Sequence, residues 1–279
     1  MKKVALRNTP IGKGIFIIPS LFTCGNTAFG ILSIFSSIGG DFIQAAWLLI
    51  GALACDILDG RIARMTNTTS EFGMQLDSLS DLVSFGIAPG ILMYMLVLNS
   101  MGKIGIAIAI LYILCCALRL ARFNVLAQSG ELHKHFVGLP TPASAGVIIS
   151  FVLSYELLGP AEKYALNFKT IPVLMTLMPT FFRVMPIVMV VLSFLMVSNI
   201  PYMSFKKLKL SKVRTIELLA LLIVLIIVIV VYPQNTFFII FSVYAISGLV
   251  FYVPGIIIKK RNEEKNNGEE NTEEEKNEM

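Results

Sequence analysis

Acidic residues are scarce in this sequence except at its C-terminal end. Eight of the 18 Asp and Glu residues lie in residues 263–279, where the net charge is −6, so residues 1–262 carry +11 although the 279-residue chain carries only +5. Charged residues make up 15% of the chain against 56% hydrophobic residues, and the mean hydropathy is +0.77. Several apolar runs reach about 20 residues, the length that crosses a bilayer. This composition excludes a soluble domain and predicts a polytopic membrane protein that contacts the lipid bilayer.

Histidine and cysteine are also few, which limits the metal and redox chemistry available. The chain has two His and four Cys. The cysteines lie in apolar segments without a Cys-x-x-Cys spacing, which predicts buried thiols rather than disulfides or zinc ligands. The histidines are expected in a solvated loop, and we expect no nucleic-acid partner. The residues concerned are Cys24, Cys55, Cys115, Cys116, His133 and His135.

The apolar runs predict an all-α fold, a bundle of eight transmembrane helices. The first run has no convincing small-residue cleavage site, so it is predicted to be a retained span rather than a signal peptide. The sixth is less regular because prolines and Arg183 interrupt it. The predicted spans are 15–38, 42–60, 75–98, 104–123, 141–159, 179–199, 215–232 and 236–258.

Basic residues are distributed unevenly between the predicted loops. With the N-terminus inside, the cytoplasmic segments carry 19 Lys and Arg residues and the outside loops carry three. Positive charge accumulates on the cytoplasmic side of membrane proteins. We therefore expect both termini in the cytoplasm, with residues 259–279 as a disordered charged tail because their Glu- and Asn-rich composition cannot bury apolar surface.

Half of the acidic residues outside the tail lie in one short stretch, residues 56–81. Asp56 and Asp59 are spaced i, i+3 near the cytoplasmic end of the second span, and Asp77 and Asp81 are spaced i, i+4 at the start of the third, so each pair occupies one helical face. Small residues flank both pairs and leave space for close approach. The two faces can converge across a short turn, which indicates a shared site.

Such a site requires protons or cations, because unit charges about 4 Å apart repel by roughly 4 kcal/mol at an effective dielectric of about 20. Oxygen ligands without a nearby histidine favour Mg²⁺, Mn²⁺ or Ca²⁺ over zinc. A two-ion site suits a diphosphate, and Arg64 adds a cation for phosphate. The alternative is that these are ordinary interfacial carboxylates paired with Arg61 and Arg64, although ionisable residues at such positions are costly and usually functional.

The stretch has the form D-x2-D-G-x2-A-R-x8-G-x3-D-x3-D and resembles, at every fixed position, the signature of the CDP-alcohol phosphatidyltransferase family. The resemblance implies an integral membrane enzyme in which an alcohol attacks the phosphate next to the lipid of CDP-diacylglycerol and CMP is released. It implies a divalent metal cofactor, either Mg²⁺ or Mn²⁺, bound as two ions. The matching positions are Asp56, Asp59, Gly60, Ala63, Arg64, Gly73, Asp77 and Asp81.

The resemblance also suggests a role for each of these residues. The four aspartates would hold metal, and Asp81 would in addition accept the proton of the attacking hydroxyl. The glycines, the alanine, the arginine and Asn26 of the first span would border the CDP diphosphate. The family resemblance further implies a homodimer, for which Gly86-x-x-x-Gly90 is a weak packing signal.

Segments downstream of the signature indicate the acceptor alcohol. Residues 76–90, 119–124 and 138–146, together with Thr23-x-x-Asn26-x-x-x-Gly30, are similar to the branch of the family that uses L-serine. In "RLARFN", Arg119 and Arg122 are spaced i, i+3 and could hold the serine carboxylate, with Asn124 as a further acceptor-binding candidate. Either arginine could instead be a positive-inside anchor.

The similar region covers roughly residues 15–200. We therefore divide the chain into a membrane core (1–200), a basic loop with two more helices (201–258) and the charged tail (259–279). Two alternatives stay open: another acceptor, such as glycerol 3-phosphate or an inositol phosphate, or a cation transporter. A transporter more naturally places its acidic residues near the bilayer midplane, often in repeated halves that this sequence lacks.

Overall fold

The computed structural model describes residues 10–66, 70–128, 138–156, 172–200, 202 and 236–248. Every regular element in these ranges is helical, which confirms the all-α class. A π-helical turn, Leu82–Ile87, and a 3₁₀ turn, Leu98–Met101, interrupt otherwise α-helical structure. The α-helices are α1 (Pro10–Ile38), α2 (Phe42–Thr66), α3 (Glu71–Asp81), α4 (Ala88–Leu96), α5 (Lys103–Gln128), α6 (Thr141–Glu156), α7 (Pro172–Val197) and α8 (Thr236–Gly248).

Four helical stretches within the described ranges are long and apolar enough to cross a membrane, so the chain is an integral membrane protein. Three further apolar helices are shorter over their described lengths. The predicted total of eight spans therefore stays a prediction, and the span expected at 215–232 lies outside the described residues. The four stretches are Pro19–Ile38, Phe42–Thr66, Glu71–Leu96 and Lys103–Ala127.

Helices α1 and α2 form an antiparallel hairpin closed by a glycine turn. Gly40 has a φ of +87°, a left-handed conformation that favours glycine, and the Gly39 amide donates to the Phe35 carbonyl at 3.0 Å to finish α1. Buried Ser33 of α1 then donates to the Ala45 carbonyl of α2 at 2.9 Å. The short turn keeps the two helices in contact along their length.

Helix α3 continues through the π turn into α4, so the predicted third span is one rod with an irregular middle. Small residues let other helices approach it closely: a Cβ on Gly30 of α1 would collide with Ser84, and one on Gly86 would stand 2.9 Å from the Cys116 sulfur of α5. Gly90 faces Ile113 of α5 in the same way. Gly86-x-x-x-Gly90 therefore packs within the chain and gives no support to a dimer interface.

The apolar core lies where α2, α4, α5, α6 and α7 meet, and α8 is joined to it. Phe238 of α8 packs on Phe151 of α6 with ring centroids 6.2 Å apart. This gives α8, the last helix among the described residues, a packing role against α6 although it carries no family motif. The largest fully buried side chains are Tyr112, Phe85, Phe151, Leu49, Leu92, Met93, Leu98, Leu139, Ile148, Met185 and Met189.

All four cysteines are free thiols, which agrees with the expectation that they form no disulfides. Cys115 and Cys116 are buried, but Cys24 is exposed on α1. The prediction of a buried thiol was wrong for Cys24 because an apolar helix that spans a bilayer also has a face turned away from the protein core.

Candidate metal centre

The four aspartates are brought together by two helix ends that face each other. Helix α2 extends to Thr66, beyond the end predicted at residue 60, and α3 begins at Glu71. Ser70 is the N-cap of α3, and its hydroxyl accepts a hydrogen bond from the Gly73 amide at 3.0 Å. The connection is short, and the side chains of Asp56 and Asp59 on α2 meet that of Asp77 on α3. Gly73 thus lies one turn before Asp77, at the start of α3.

Three of the carboxylates converge on one point. One oxygen from each of Asp56, Asp59 and Asp77 can be chosen so that the three atoms lie within 4.8 Å of one another. Oxygen ligands bind Mg²⁺ at about 2.0–2.1 Å and Ca²⁺ at about 2.3–2.6 Å, so oxygens at such separations can share a hard cation with little adjustment. The donor set is oxygen only, which fits the predicted class of metal.

Asp81 completes the acidic cluster from one turn further along α3. Its side chain is 9% exposed, and its carboxyl group is within hydrogen-bonding reach of Asp56. It also interacts electrostatically with Asp59 and Asp77. The ionisable groups acting on Asp56 and Asp77 are other aspartates. Within the described part of the chain, Asp56 and Asp77 therefore lack the arginine pairing expected of ordinary interfacial carboxylates, and a cation fits between them.

Helix α1 lies against the cluster and supplies polar groups to it. The Thr23 hydroxyl donates to Asp59 Oδ2 at 3.0 Å, and the Asn26 amide nitrogen lies 3.4 Å from Asp81 Oδ1. The buried Oδ1 of Asn26 has no hydrogen-bond partner among the described residues, so an acceptor oxygen is left over beside the acidic site. Asn26 was predicted to border the diphosphate, whereas no role at the site was assigned to Thr23.

Residues Gly60, Ala63 and Arg64 lie on the last turns of α2, next to Asp59. Gly60 and Ala63 are half-buried and Arg64 is exposed. A Cβ on Gly60 would find only the Arg64 guanidinium nearby, with Nη2 at 3.8 Å, apart from the local backbone and within the described residues. The surface beside Gly60 is therefore open, as binding of a ligand there requires, but contact with CDP stays a prediction.

Arg119 is the member of the predicted acceptor set that lies near the acidic cluster. Its guanidinium interacts electrostatically with Asp81, and its Nη1 donates to the Thr141 hydroxyl at 3.3 Å. Its Nε is buried without a hydrogen-bond partner in the described part of the chain. Among the described residues, Arg119 thus keeps one buried donor without a partner, close enough to the acidic cluster to interact with Asp81.

The other two candidates of "RLARFN" have protein partners elsewhere. Arg122 donates to the Val197 carbonyl at 3.3 Å and to Asn199 Oδ1 at 2.6 Å, at the end of α7. The Asn124 amide donates to the Ser78 hydroxyl at 2.9 Å, which ties α5 to α3 beside Asp77. The geometry gives both residues a structural explanation, and their acceptor-binding role stays a prediction.

The fold and the site together define an integral membrane protein with a cluster of carboxylate oxygens, contributed by α2 and α3, that could hold a cation. Residues 16–175 match the family model described as CDP-alcohol phosphatidyltransferase. The chain belongs to the CDP-alcohol phosphatidyltransferase family.

Curated relatives share much of this chain. It is 39% identical over 199 residues to a CDP-diacylglycerol–serine O-phosphatidyltransferase of Helicobacter pylori, an alignment that covers 70% of this chain and 75% of the relative. It is 43% identical over 139 residues to an archaetidylserine synthase of Methanothermobacter thermautotrophicus, covering 49% and 58%. It is 34% identical over 139 residues to a CDP-diacylglycerol–serine O-phosphatidyltransferase of Bacillus subtilis, covering 50% and 77%.

Proposed function

We propose that this membrane enzyme transfers the phosphatidyl group of CDP-diacylglycerol to the hydroxyl group of L-serine and releases CMP. The observation that carries this proposal is the convergence of Asp56, Asp59 and Asp77, with carboxylate oxygens within 4.8 Å of one another, in a chain of this family. The names of the relatives support serine as the acceptor, and they include an archaetidylserine synthase.

The reaction is a displacement at phosphorus. The serine hydroxyl oxygen forms a bond to the phosphorus next to diacylglycerol, the phosphoanhydride bond to CMP breaks, and its electron pair leaves on the CMP phosphate. Divalent cations, Mg²⁺ or Mn²⁺ and two in number, would be held by Asp56, Asp59, Asp77 and Asp81 and would neutralise the diphosphate charge. Arg64 and the open surface beside Gly60 would face the diphosphate.

The proton of the attacking hydroxyl needs an acceptor beside the reacting phosphorus. Asp81 suits this role because it is buried, lies within hydrogen-bonding reach of Asp56, and is outside the group of three oxygens that can share one cation. The carboxylate of serine would meet the unpartnered Nε of Arg119, which lies on the Asp81 side of the cluster.

The distribution of charge supports an orientation in the membrane. The segments expected inside carry 19 Lys and Arg residues and the outside loops carry three, which supports cytoplasmic termini. The site would then open to the cytoplasm, where the CDP headgroup of the lipid and serine would reach it. A C-terminal fusion to green fluorescent protein should fluoresce and one to alkaline phosphatase should be inactive; the reverse pattern would reject this orientation.

The direct test uses purified protein in detergent with CDP-diacylglycerol, Mg²⁺ or Mn²⁺ and a panel of alcohols. We expect CMP release that depends on serine and on metal, with phosphatidylserine as the lipid product. Product formed from glycerol 3-phosphate or an inositol phosphate instead would keep the chemistry and change the acceptor. Absence of CMP release with every alcohol, together with cation flux in vesicles, would favour a transporter.

A further inference from the structure

Helix α1 carries a pair of buried polar side chains that contact the site without belonging to the aspartate signature. Thr23 and Asn26 are spaced i, i+3 on one face of α1, and their side chains are 5% and 0% exposed. Thr23 contacts an aspartate of α2, and Asn26 contacts an aspartate of α3. We propose that Thr23 and Asn26 are positioning residues, which fix the carboxylate orientations of Asp59 and Asp81 for cation binding and proton transfer.

The role of Asn26 in proton transfer, the proton-transfer half of this inference, rests on the proposed function. The role of Thr23 in cation binding, the cation half, concerns the aspartates alone. Metal-ligating carboxylates are commonly held by outer hydrogen-bond donors, which orient them and whose removal weakens metal binding. Of the two oxygens of Asp59, Oδ2 accepts the Thr23 hydroxyl at 3.0 Å. This bond restricts the rotation of the carboxylate, one oxygen of which lies within 4.8 Å of oxygens of Asp56 and Asp77.

The Thr23 hydroxyl has a second acceptor within reach, the Pro19 carbonyl at 3.1 Å. A hydroxyl has one proton to donate, and an ionised carboxylate forms a stronger hydrogen bond than a neutral carbonyl. The bond to Asp59 therefore dominates when that carboxylate is charged, as it must be to bind a cation. The Pro19 carbonyl alone would explain a buried threonine in an ordinary helix, but it would not explain the contact to an aspartate 36 residues away.

Asn26 holds the other carboxylate and is itself held in place. Its amide nitrogen lies 3.4 Å from Asp81 Oδ1, and its backbone carbonyl accepts the Ser84 hydroxyl at 2.9 Å. One turn earlier, the Ser80 hydroxyl donates to the Thr23 carbonyl at 3.0 Å. The α1 backbone is thus bonded to α3 and the π turn at both positioning residues, so their side chains approach the aspartates from a fixed base.

The cation half can be tested by Mn²⁺ binding to the purified full chain without substrates, measured by electron paramagnetic resonance of free Mn²⁺. Thr23→Val removes the hydroxyl at similar size and should weaken Mn²⁺ binding roughly tenfold. Thr23→Ser keeps the hydroxyl and should bind Mn²⁺ nearly as the unchanged protein does. Ser33→Ala is the matched control, because Ser33 is a buried hydroxyl of the same helix that bonds only backbone in α2. Wild-type Mn²⁺ affinity in Thr23→Val would overturn the role of Thr23.

The proton-transfer half can be tested by steady-state kinetics of Asn26→Ala, with thermal unfolding as the check on folding. We expect kcat to fall about tenfold while the KM for CDP-diacylglycerol stays unchanged, because Asn26 would act through Asp81. An increased KM with kcat retained would assign Asn26 to the nucleotide pocket instead and overturn this half. If Asn26→Ala does not fold, Asn26→Leu, which removes the amide at similar size without adding a charge, decides by the same two constants. If the unchanged protein shows no serine-dependent CMP release, the proposed function fails, whereas the Mn²⁺ comparison still decides the role of Thr23.

Discussion

The buried Tyr112 hydroxyl of α5 donates to the Phe85 carbonyl at 3.2 Å, inside the π turn that begins directly after Asp81. Ser144 of α6 in turn donates to the Tyr112 oxygen at 3.2 Å. π turns are rare in proteins, and those that occur often lie at functional sites. This chain of hydroxyls thus joins α6 and α5 to the segment that positions Asp81.

Replacing Tyr112 by Phe should lower the free energy of unfolding by about 1–3 kcal/mol, because it leaves a buried carbonyl without its donor. Denaturant or thermal unfolding in detergent would measure the loss. Tyr94→Phe is the control, since the Tyr94 hydroxyl makes only an exposed contact to Asn99 at 3.4 Å. Equal stability of the two variants would contradict a structural role for the Tyr112 bond.

Asp77→Asn should weaken Mn²⁺ binding at least about tenfold and abolish measurable CMP release, because it removes one of the three converging carboxylates. Mn²⁺ titration and a CMP assay would both report it. Asp41→Asn is a suitable control: Asp41 is an exposed acid in the turn between α1 and α2. If Asp77→Asn binds Mn²⁺ as tightly as Asp41→Asn, the proposed metal centre is wrong.

Asp81→Asn should reduce kcat by about 10²–10⁴-fold, the range that a positioned proton acceptor contributes. The loss of Mn²⁺ affinity should be smaller than in Asp77→Asn, because Asp81 is outside the group of three converging oxygens. The comparison of kcat and Mn²⁺ affinity between the two variants is the measurement. Loss of Mn²⁺ binding as severe as in Asp77→Asn would make Asp81 primarily a ligand.

Arg119→Gln should raise the KM for serine about tenfold or more, since a charge-assisted bond to a carboxylate is worth about 1.5–3 kcal/mol. The KM for CDP-diacylglycerol should stay close to its original value. Arg122→Gln offers a comparison, because the contacts of Arg122 are to the end of α7. A larger effect on serine KM from Arg122 than from Arg119 would reverse the assignment.

Gly30→Ala should destabilise the fold by about 1–3 kcal/mol, because a Cβ at this position collides with Ser84 where α1 crosses the π turn. Gly25→Ala on the same helix should be neutral or slightly stabilising, since its Cβ would make ordinary contact with the Cys55 sulfur at 3.5 Å. Unfolding of both variants under the same conditions gives the comparison. A tolerated Gly30→Ala would show that the two elements separate more easily than this packing implies.

Much of the helical architecture could be predicted from hydropathy, and the differences have local causes. Predicted spans at 42–60 and 75–98 correspond to α2 and to α3 with α4, but α2 runs on to Thr66 and α3 starts at Glu71. Polar residues mark the limit of an apolar run and do not stop a helix, whereas Ser70 does define an N-terminus by capping it. Hydropathy alone therefore placed both boundaries too far from the connecting turn.

The site was predictable in part for a similar reason. The i, i+3 and i, i+4 spacings of the aspartates indicated two acidic faces, and helical geometry sufficed for that inference. The Thr23-x-x-Asn26 pattern was visible in the sequence, but its contact with Asp59 and Asp81 was not. Nothing in the local pattern of α1 specifies which aspartate a buried hydroxyl or amide will meet.

By itself, the sequence determined that this protein lies in a membrane, roughly where four of its long helices run, and which carboxylates share a helical face, because hydropathy and helical period act over neighbouring residues. The tertiary structure alone decided that α1 crosses the acidic cluster, that a π turn follows Asp81, and that Arg119 rather than Arg122 lies near it. Those relations join segments tens of residues apart, and they depend on which small residues allow which helices to touch.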